Sequence, residues 1–207
     1  MKKGIFTGLG CLIIVIIGIL AIVIIGGFIA YNFNNKAVVL QEDAKTAWSN
    51  VESAYQRRSD LIGNLVKTVQ GAADFERTTL KEVIEARSKA TSVTIDPSNI
   101  TPAQMTHFQQ AQSGLTSALS RLLVTVERYP DLKANQNFLN LQTQLEGTEN
   151  RINVERNRFN EQVGVYNKHL KIFPNSIFAG MLGFNEMVRF EADEGTEKAP
   201  DVDFDFK

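Results

Sequence analysis

Between Gly4 and Asn35 the chain carries no charged side chain. Within that stretch Cys11 to Ala30 reads CLIIVIIGILAIVIIGGFIA, with no polar group beyond one thiol. A helix needs roughly 20 apolar residues to cross the hydrocarbon core of a bilayer. The run exceeds the ~7–15-residue core of a cleaved signal peptide, and Phe28 breaks the small-x-small pattern that would end at Ala30. A lipid anchor on Cys11 would need its apolar region ahead of the cysteine, whereas here it follows. The sequence therefore predicts an uncleaved, single-pass span marked by Ile5, Cys11 and Ala30. It divides the chain into a membrane anchor over 1–31, a body over 32–190 and an acidic tail over 191–207. Lys2, Lys3 and the amino terminus precede the span, and Lys36 and Lys45 follow it. The positive-inside rule then points to a cytoplasmic N-terminus and an extracytoplasmic body. Gly26 and Ala30 form a small-xxx-small pair of the kind that lets membrane helices associate, so a homo-oligomer is one expectation. Glycine is also common in membrane helices for other reasons.

The body has the periodicity of helices. Prolines stand at 97, 102, 130, 174 and 200, leaving 31–96 and 131–173 uninterrupted, and proline is what most strongly disrupts a helix interior. Ala44, Trp48, Val51, Tyr55, Ile62, Leu65, Val69 and Ala72 recur at spacings near 3.5, and Leu80, Val83 and Ala90 continue the stripe. Met105, Phe108, Leu115, Leu119, Leu122 and Val126 follow the same rule. Phe138, Leu145, Ile152, Phe159, Tyr166 and Phe173 are each seven apart. A sustained heptad repeat means helices packed along a common seam. Thr101-Pro102-Ala103-Gln104 is a capping box with proline at the first helical position. The fold class expected is all-α: the span continues into an elongated antiparallel bundle of three long helices (36–92, 102–127, 131–172) plus a short fourth at 176–185. Gly63 or Gly71 can kink the first.

The composition excludes several functions. The 22 basic and 23 acidic residues nearly cancel, so the chain as a whole is no strongly basic nucleic-acid binder. One cysteine and two histidines, His107 and His169, give neither a disulfide framework nor a zinc cluster. A di-metal carboxylate bundle needs Glu-x-x-His motifs, but Gln104 and Tyr166 stand three residues before the histidines. Phosphate-loop and nucleophile-elbow motifs are absent from the sequence. No cofactor and no reaction is expected.

Polar residues nonetheless fall on or beside the apolar stripes. Arg58 takes the slot between Tyr55 and Ile62. Glu149 and Arg156 share a column with Val163 and Leu170, flanked by Asn153, Asn160 and Asn167. An unpaired buried charge is costly, so Arg58 is expected to pair with Glu149, with Arg156, Asn160 and Asn167 completing the hydrogen bonds. Asp60 and Asn64 stand beside this network on the first helix, and Arg57 with Asp60 is the intrahelical alternative. Such a network fixes helix register; a polar recognition groove is the other reading. The tail holds seven acids against two lysines and is expected to be disordered, although Val202, Phe204 and Phe206 alternate with acids as in a segment that adds to a partner's sheet.

Three stretches carry a family resemblance. Trp48 through Arg87 contains QRRSDLIGNLVKTVQG and EVIEAR; residues 127–174 read ERYPDLKANQNFLNLQTQLEGTENRINVERNRFNEQVGVYNKHLKIFP; residues 178–184 read FAGMLGF, followed by Phe190. Together they resemble the LemA family of bacterial membrane-anchored helical proteins, over nearly the whole body. Gly63 departs from the pattern, which usually has proline there. The resemblance implies an all-α bundle with an N-terminal anchor in the bacterial cell membrane; it does not supply a reaction.

The function expected is therefore a non-enzymatic, membrane-tethered scaffold of the bacterial envelope, with protein partners and no nucleic acid. A regulatory adaptor in membrane protein quality control or stress response is the alternative. Membrane remodelling is a third, disfavoured by the 18 basic and 16 acidic residues of 31–190.

Overall fold

The computed structural model describes residues 3–71 and 75–191, and for residues 3–12 the backbone alone. The tail beyond Glu191, with Val202, Phe204 and Phe206, lies outside the described residues, as do Ala72 and the side chains of Ile5 and Cys11. Among the described residues all six elements are helices: α1 Lys3–Gln70, α2 Arg77–Ser92, α3 Pro102–Val126, α4 Pro130–Lys133, α5 Gln136–Lys171 and α6 Asn175–Leu182.

The 68 residues of α1 form one unbroken helix, roughly 100 Å long at 1.5 Å per residue. Its apolar run packs against nothing among the described residues, and Ile14, Ile22 and Phe28 are exposed. This is the one described helix long and apolar enough to cross a membrane. Burial begins at Phe33 and recurs at Ala37, Leu40, Ala44, Ala47, Trp48 and Val51, where α5 comes alongside. The same helix is thus uncovered and apolar all round at one end and a bundle helix at the other, where that surface gives way to a single stripe.

The first long window is divided. α1 stops at Gly71, whose N–H reaches Lys67 O at 3.2 Å, and α2 folds back along it. Arg87 near the end of α2 donates to the Ser59 carbonyl at 2.8 Å. Of the two glycines that could bend this helix, Gly71 marks its end and Gly63 lies within it. α3 returns beside α2, tied by Arg121 to Glu82 at 3.1 Å and Arg128 to Glu76 at 2.9 Å. α5 then runs antiparallel to α1, so the body is an up-down-up-down arrangement.

Local chemistry sets the boundaries. Thr101 and Gln104 form the reciprocal capping box ahead of α3. α4 is one turn, and Asn135 caps α5 by accepting from the N–H groups of Asn137 and Phe138. α6 closes at Gly183, whose φ of 77° lies in the left-handed region that glycine adopts without steric cost.

Two apolar cores share the bundle. The membrane-proximal one joins Phe33–Tyr55 of α1 to Phe108, Phe159, Tyr166 and Phe190. The distal one joins Leu61–Val69 of α1 to Leu80, Val83, Leu115, Leu122, Phe138 and Leu145. Phe173, the last member of the heptad stripe, is exposed: α5 has already ended at Lys171, so the seam no longer exists there.

Candidate functional site

Between the two cores lies a polar layer centred on Arg58. Its side chain is 5% exposed, and its guanidinium on α1 reaches two further helices. Nη1 donates to Glu149 Oε2 on α5 at 2.9 Å and to Thr116 Oγ1 on α3 at 3.3 Å. Nη2 donates to Gln112 Oε1 on α3 at 2.5 Å. Gln112 in turn donates to the Ala90 carbonyl at 3.3 Å, so four helices join through one arginine. The planar fork of arginine allows this, since its donors point in fixed, separate directions. The Tyr55 ring lies beneath the guanidinium, 5.0 Å away, a cation–π distance.

The other expected members lie elsewhere. Asp60 is on the surface of α1, accepting from Gln56 at 2.9 Å and standing 4.0 Å from Arg87. Arg57 turns to Gln144 at 3.2 Å instead of to Asp60. Asn64 is exposed, and its carbonyl accepts from Thr68. Arg156, Asn160 and Asn167 sit two to five helical turns along α5 from Glu149, too far to reach Arg58, and they hold the chain that follows α6.

That chain, residues 184–191, forms an extended strap on α5. Asn160 clasps Phe190 with both amide atoms: its Nδ2 donates to the Phe190 carbonyl at 3.0 Å and its Oδ1 accepts from the Phe190 N–H at 2.8 Å. Asn167 clasps Met187 the same way, at 2.8 and 2.9 Å. The side chains thereby satisfy backbone groups that have no helix to pair in. Tyr166 donates to the Asn185 carbonyl at 3.0 Å, and burial pushes its hydroxyl pKa upward. Gln109 on α3 and Arg156 on α5 both donate to the Glu191 carbonyl at 3.3 Å. The strap drives Phe190 into the proximal core, where its ring meets Trp48 at 5.7 Å, Phe159 at 5.7 Å and Phe108 at 6.3 Å. Seven-residue spacing marks these asparagines as one face; it does not tell a partner helix from an extended strap.

Glu155 on α5 is among the most buried side chains. Arg151 Nη2 stands 2.8 Å from its Oε1 and Arg158 Nη1 3.6 Å from its Oε2. Neither carboxylate oxygen has a hydrogen bond of good geometry among the described residues, so its charge is offset by two neighbouring cations on its own helix. Ser59 Oγ and Trp48 Nε1 are also buried without a described partner.

A cleft of about 640 Å³ opens between α1, the end of α2 and α3, lined by Tyr55, Phe108, Glu52, Arg57, Asp60 and Thr91 among others. Among the described residues no three His, Cys, Asp or Glu side chains gather as a metal site would require.

The sequence signature of the LemA family matches residues 47–204. The chain belongs to the LemA family. Its family segment begins at Ala47, 17 residues beyond the end of the apolar run at Ala30, and covers the polar layer and the strap. A protein named LemA from Metamycoplasma hominis is 25% identical over 194 residues, covering 94% of this chain and 84% of its own length. Magnetosome protein MamQ from Magnetospirillum gryphiswaldense is 27% identical over 175 residues, 75% of this chain. MamQ 2 from Paramagnetospirillum magneticum is 26% identical over 175 residues. The matched stretch spans 64% of each of these two magnetosome proteins.

Proposed function

We propose that this LemA-family chain is a non-enzymatic, membrane-tethered scaffold of the bacterial envelope, presenting its bundle to protein partners outside the cytoplasm. The observation that carries the proposal is the continuity of α1 from the apolar run into the core of the bundle. A helix without a break transmits position and orientation, as a flexible linker does not. The cleft beside Tyr55 and Phe108 mixes exposed charges with aromatic surface, a chemistry suited to a peptide segment of a partner. That the chain is similar in sequence both to a LemA protein and to magnetosome proteins favours a general tethering role over one reaction. Adaptor work for membrane protein quality control is the narrower alternative, in which a single client occupies that cleft.

Photocrosslinking from Gln56 and Thr91 in intact membranes, followed by mass spectrometry, tests this. Crosslinks to proteins are expected. One stoichiometric partner would select the adaptor, and an absence of protein crosslinks from both positions would defeat the scaffold.

A further inference from the structure

The corner where α5 gives way to α6 is apolar and faces outward. Phe173 is 77% exposed, Met181 76% and Ile177 53%, with Ile172 and Leu182 beside them at 50% and 49%. No charged residue occurs from Phe173 to Asn185. α6 nonetheless has an inner face, which buries Ala179 and sets Phe178 against Phe33 at 6.2 Å. Its outer face is therefore one a soluble domain would be expected to make polar.

The place of this corner in the fold gives the reason. Phe33, which holds it, stands three residues beyond Ala30 on the unbroken α1. His169 at the end of α5 stacks on Phe33 at 5.2 Å, and Phe184 meets it edge-on at 5.6 Å. Three residues of helix rise about 5 Å, so the corner lies level with the end of the apolar run and with the exposed rings of Phe28 and Tyr31. The charge of the two chain segments that form the corner is one-sided. Residues 31–41 and 162–185 contain Lys36, Lys168 and Lys171 and no acid. Lys171 meets Glu186 at 2.8 Å just beyond that boundary, whereas Lys36 and Lys168 are exposed.

We infer that the Ile172–Leu182 corner is a second membrane contact, seated in the headgroup–acyl boundary of the same bilayer that α1 crosses. Apolar side chains at interfacial depth, rimmed by lysines, match the chemistry of an anionic lipid surface. Continuity with the span selects lipid over a protein partner, because any surface this close to the exit of α1 meets the bilayer first. The consequence is orientation: a lone span leaves the bundle free to swing about its exit, and a seated corner fixes which side of the bundle faces the membrane. The inference rests on α1 being a span.

The test uses the full chain with Cys11→Ser and single cysteines from Ile177→Cys or Met181→Cys, both exposed positions. A polarity-sensitive fluorophore on each is read in phosphatidylcholine–phosphatidylglycerol vesicles, with headgroup-proximal nitroxide lipids for positions 177, 181 and 124 and mid-chain nitroxide lipids for position 22. Ile22→Cys in the apolar run and Val124→Cys at the far end of the bundle serve as references. Labels at 177 and 181 should be quenched at least about twofold more than the label at 124. Quenching at 177 and 181 equal to that at 124, with strong quenching at 22, would overturn the corner contact and leave the span intact. Shielding that vanishes on dilution with unlabelled chain, without lipid quenching, would assign the corner to a second copy and likewise overturn it. Absence of quenching at 22 would remove the span, and this inference with it.

Discussion

Arg58 and Glu149 form an unequal pair: the arginine side chain is 5% exposed and the glutamate side chain 47%, across a contact of 2.9 Å. One partner is sealed between four helices while the other looks into water. The two halves of the pair therefore have different costs of removal.

That asymmetry sets the first prediction. From the sequence, loss of Arg58 would leave a buried acid and cost about 3 kcal/mol. With Glu149 half in water, Arg58→Leu leaves a hydrated carboxylate and one orphaned amide at Gln112, a cost of about 1–2 kcal/mol. Glu149→Ala leaves a buried guanidinium with only neutral acceptors and should cost more, about 2–3 kcal/mol. Urea unfolding of the full chain in detergent should rank the two in that order, and the reverse ranking would contradict the geometry.

The strap gives a second. Asn160→Ala removes both bonds to Phe190 and should destabilise by about 1–3 kcal/mol, since a buried backbone N–H and carbonyl lose their partner. Hydrogen exchange at the amides of Phe190 and Met187 should speed up in Asn160→Ala and Asn167→Ala respectively, while the amide of Ile152 keeps its protection. Equal loss at all three would mean global unfolding.

Phe190 itself supports the third. Its ring completes the cluster around Trp48, so Phe190→Ala should cost about 3–5 kcal/mol, the range for removing a buried aromatic. Trp48 emission should shift to the red as water reaches the indole. An unchanged spectrum would show that the strap is not what closes this core.

Alkaline pH supplies the fourth. Burial raises the Tyr166 hydroxyl pKa above the ordinary 10.0. A group with a raised folded-state pKa holds its full contribution below the unfolded value and loses it as pH rises through the folded one. Stability should therefore decline above about pH 10, and Tyr166→Phe should flatten that decline relative to the parent chain. Parallel decline in both proteins would place the alkaline sensitivity elsewhere.

Orientation is open to a direct measurement. The proposed function has the body outside the cytoplasm, the side that the lysine count predicts, so a reporter active only there, fused after Lys207, should be active. Activity of a cytoplasm-specific reporter instead would invert the topology.

Much of this fold is legible in one sequence because its signals are periodic. Trp48, Val51, Ile62 and Leu65 on α1 and Phe138, Leu145, Ile152, Phe159 and Tyr166 on α5 are all buried, as a heptad stripe requires. The end of α1 at Gly71 was harder to see: no proline marks it, and Leu80, Val83 and Ala90 sustain the same phase after the reversal. Gln112 and Thr116 are ordinary helical polar residues until the Arg58 guanidinium points at them. The asparagine ladder shows its spacing but not its partner, because a strap has no period of its own. Glu155 illustrates the converse, a charge that lies among the most buried side chains of the bundle.

The unbroken α1 makes the molecule a lever. From Phe33 to Gln70 it extends roughly 55 Å beyond the end of the apolar run, so a 10° change in the tilt of the span carries the far end through about 10 Å. Helices tilt to match the thickness of the bilayer they cross. A small mismatch at the hydrocarbon core is thereby amplified into a displacement the size of a helix diameter at the distal tip, where anything bound to the bundle would travel with it.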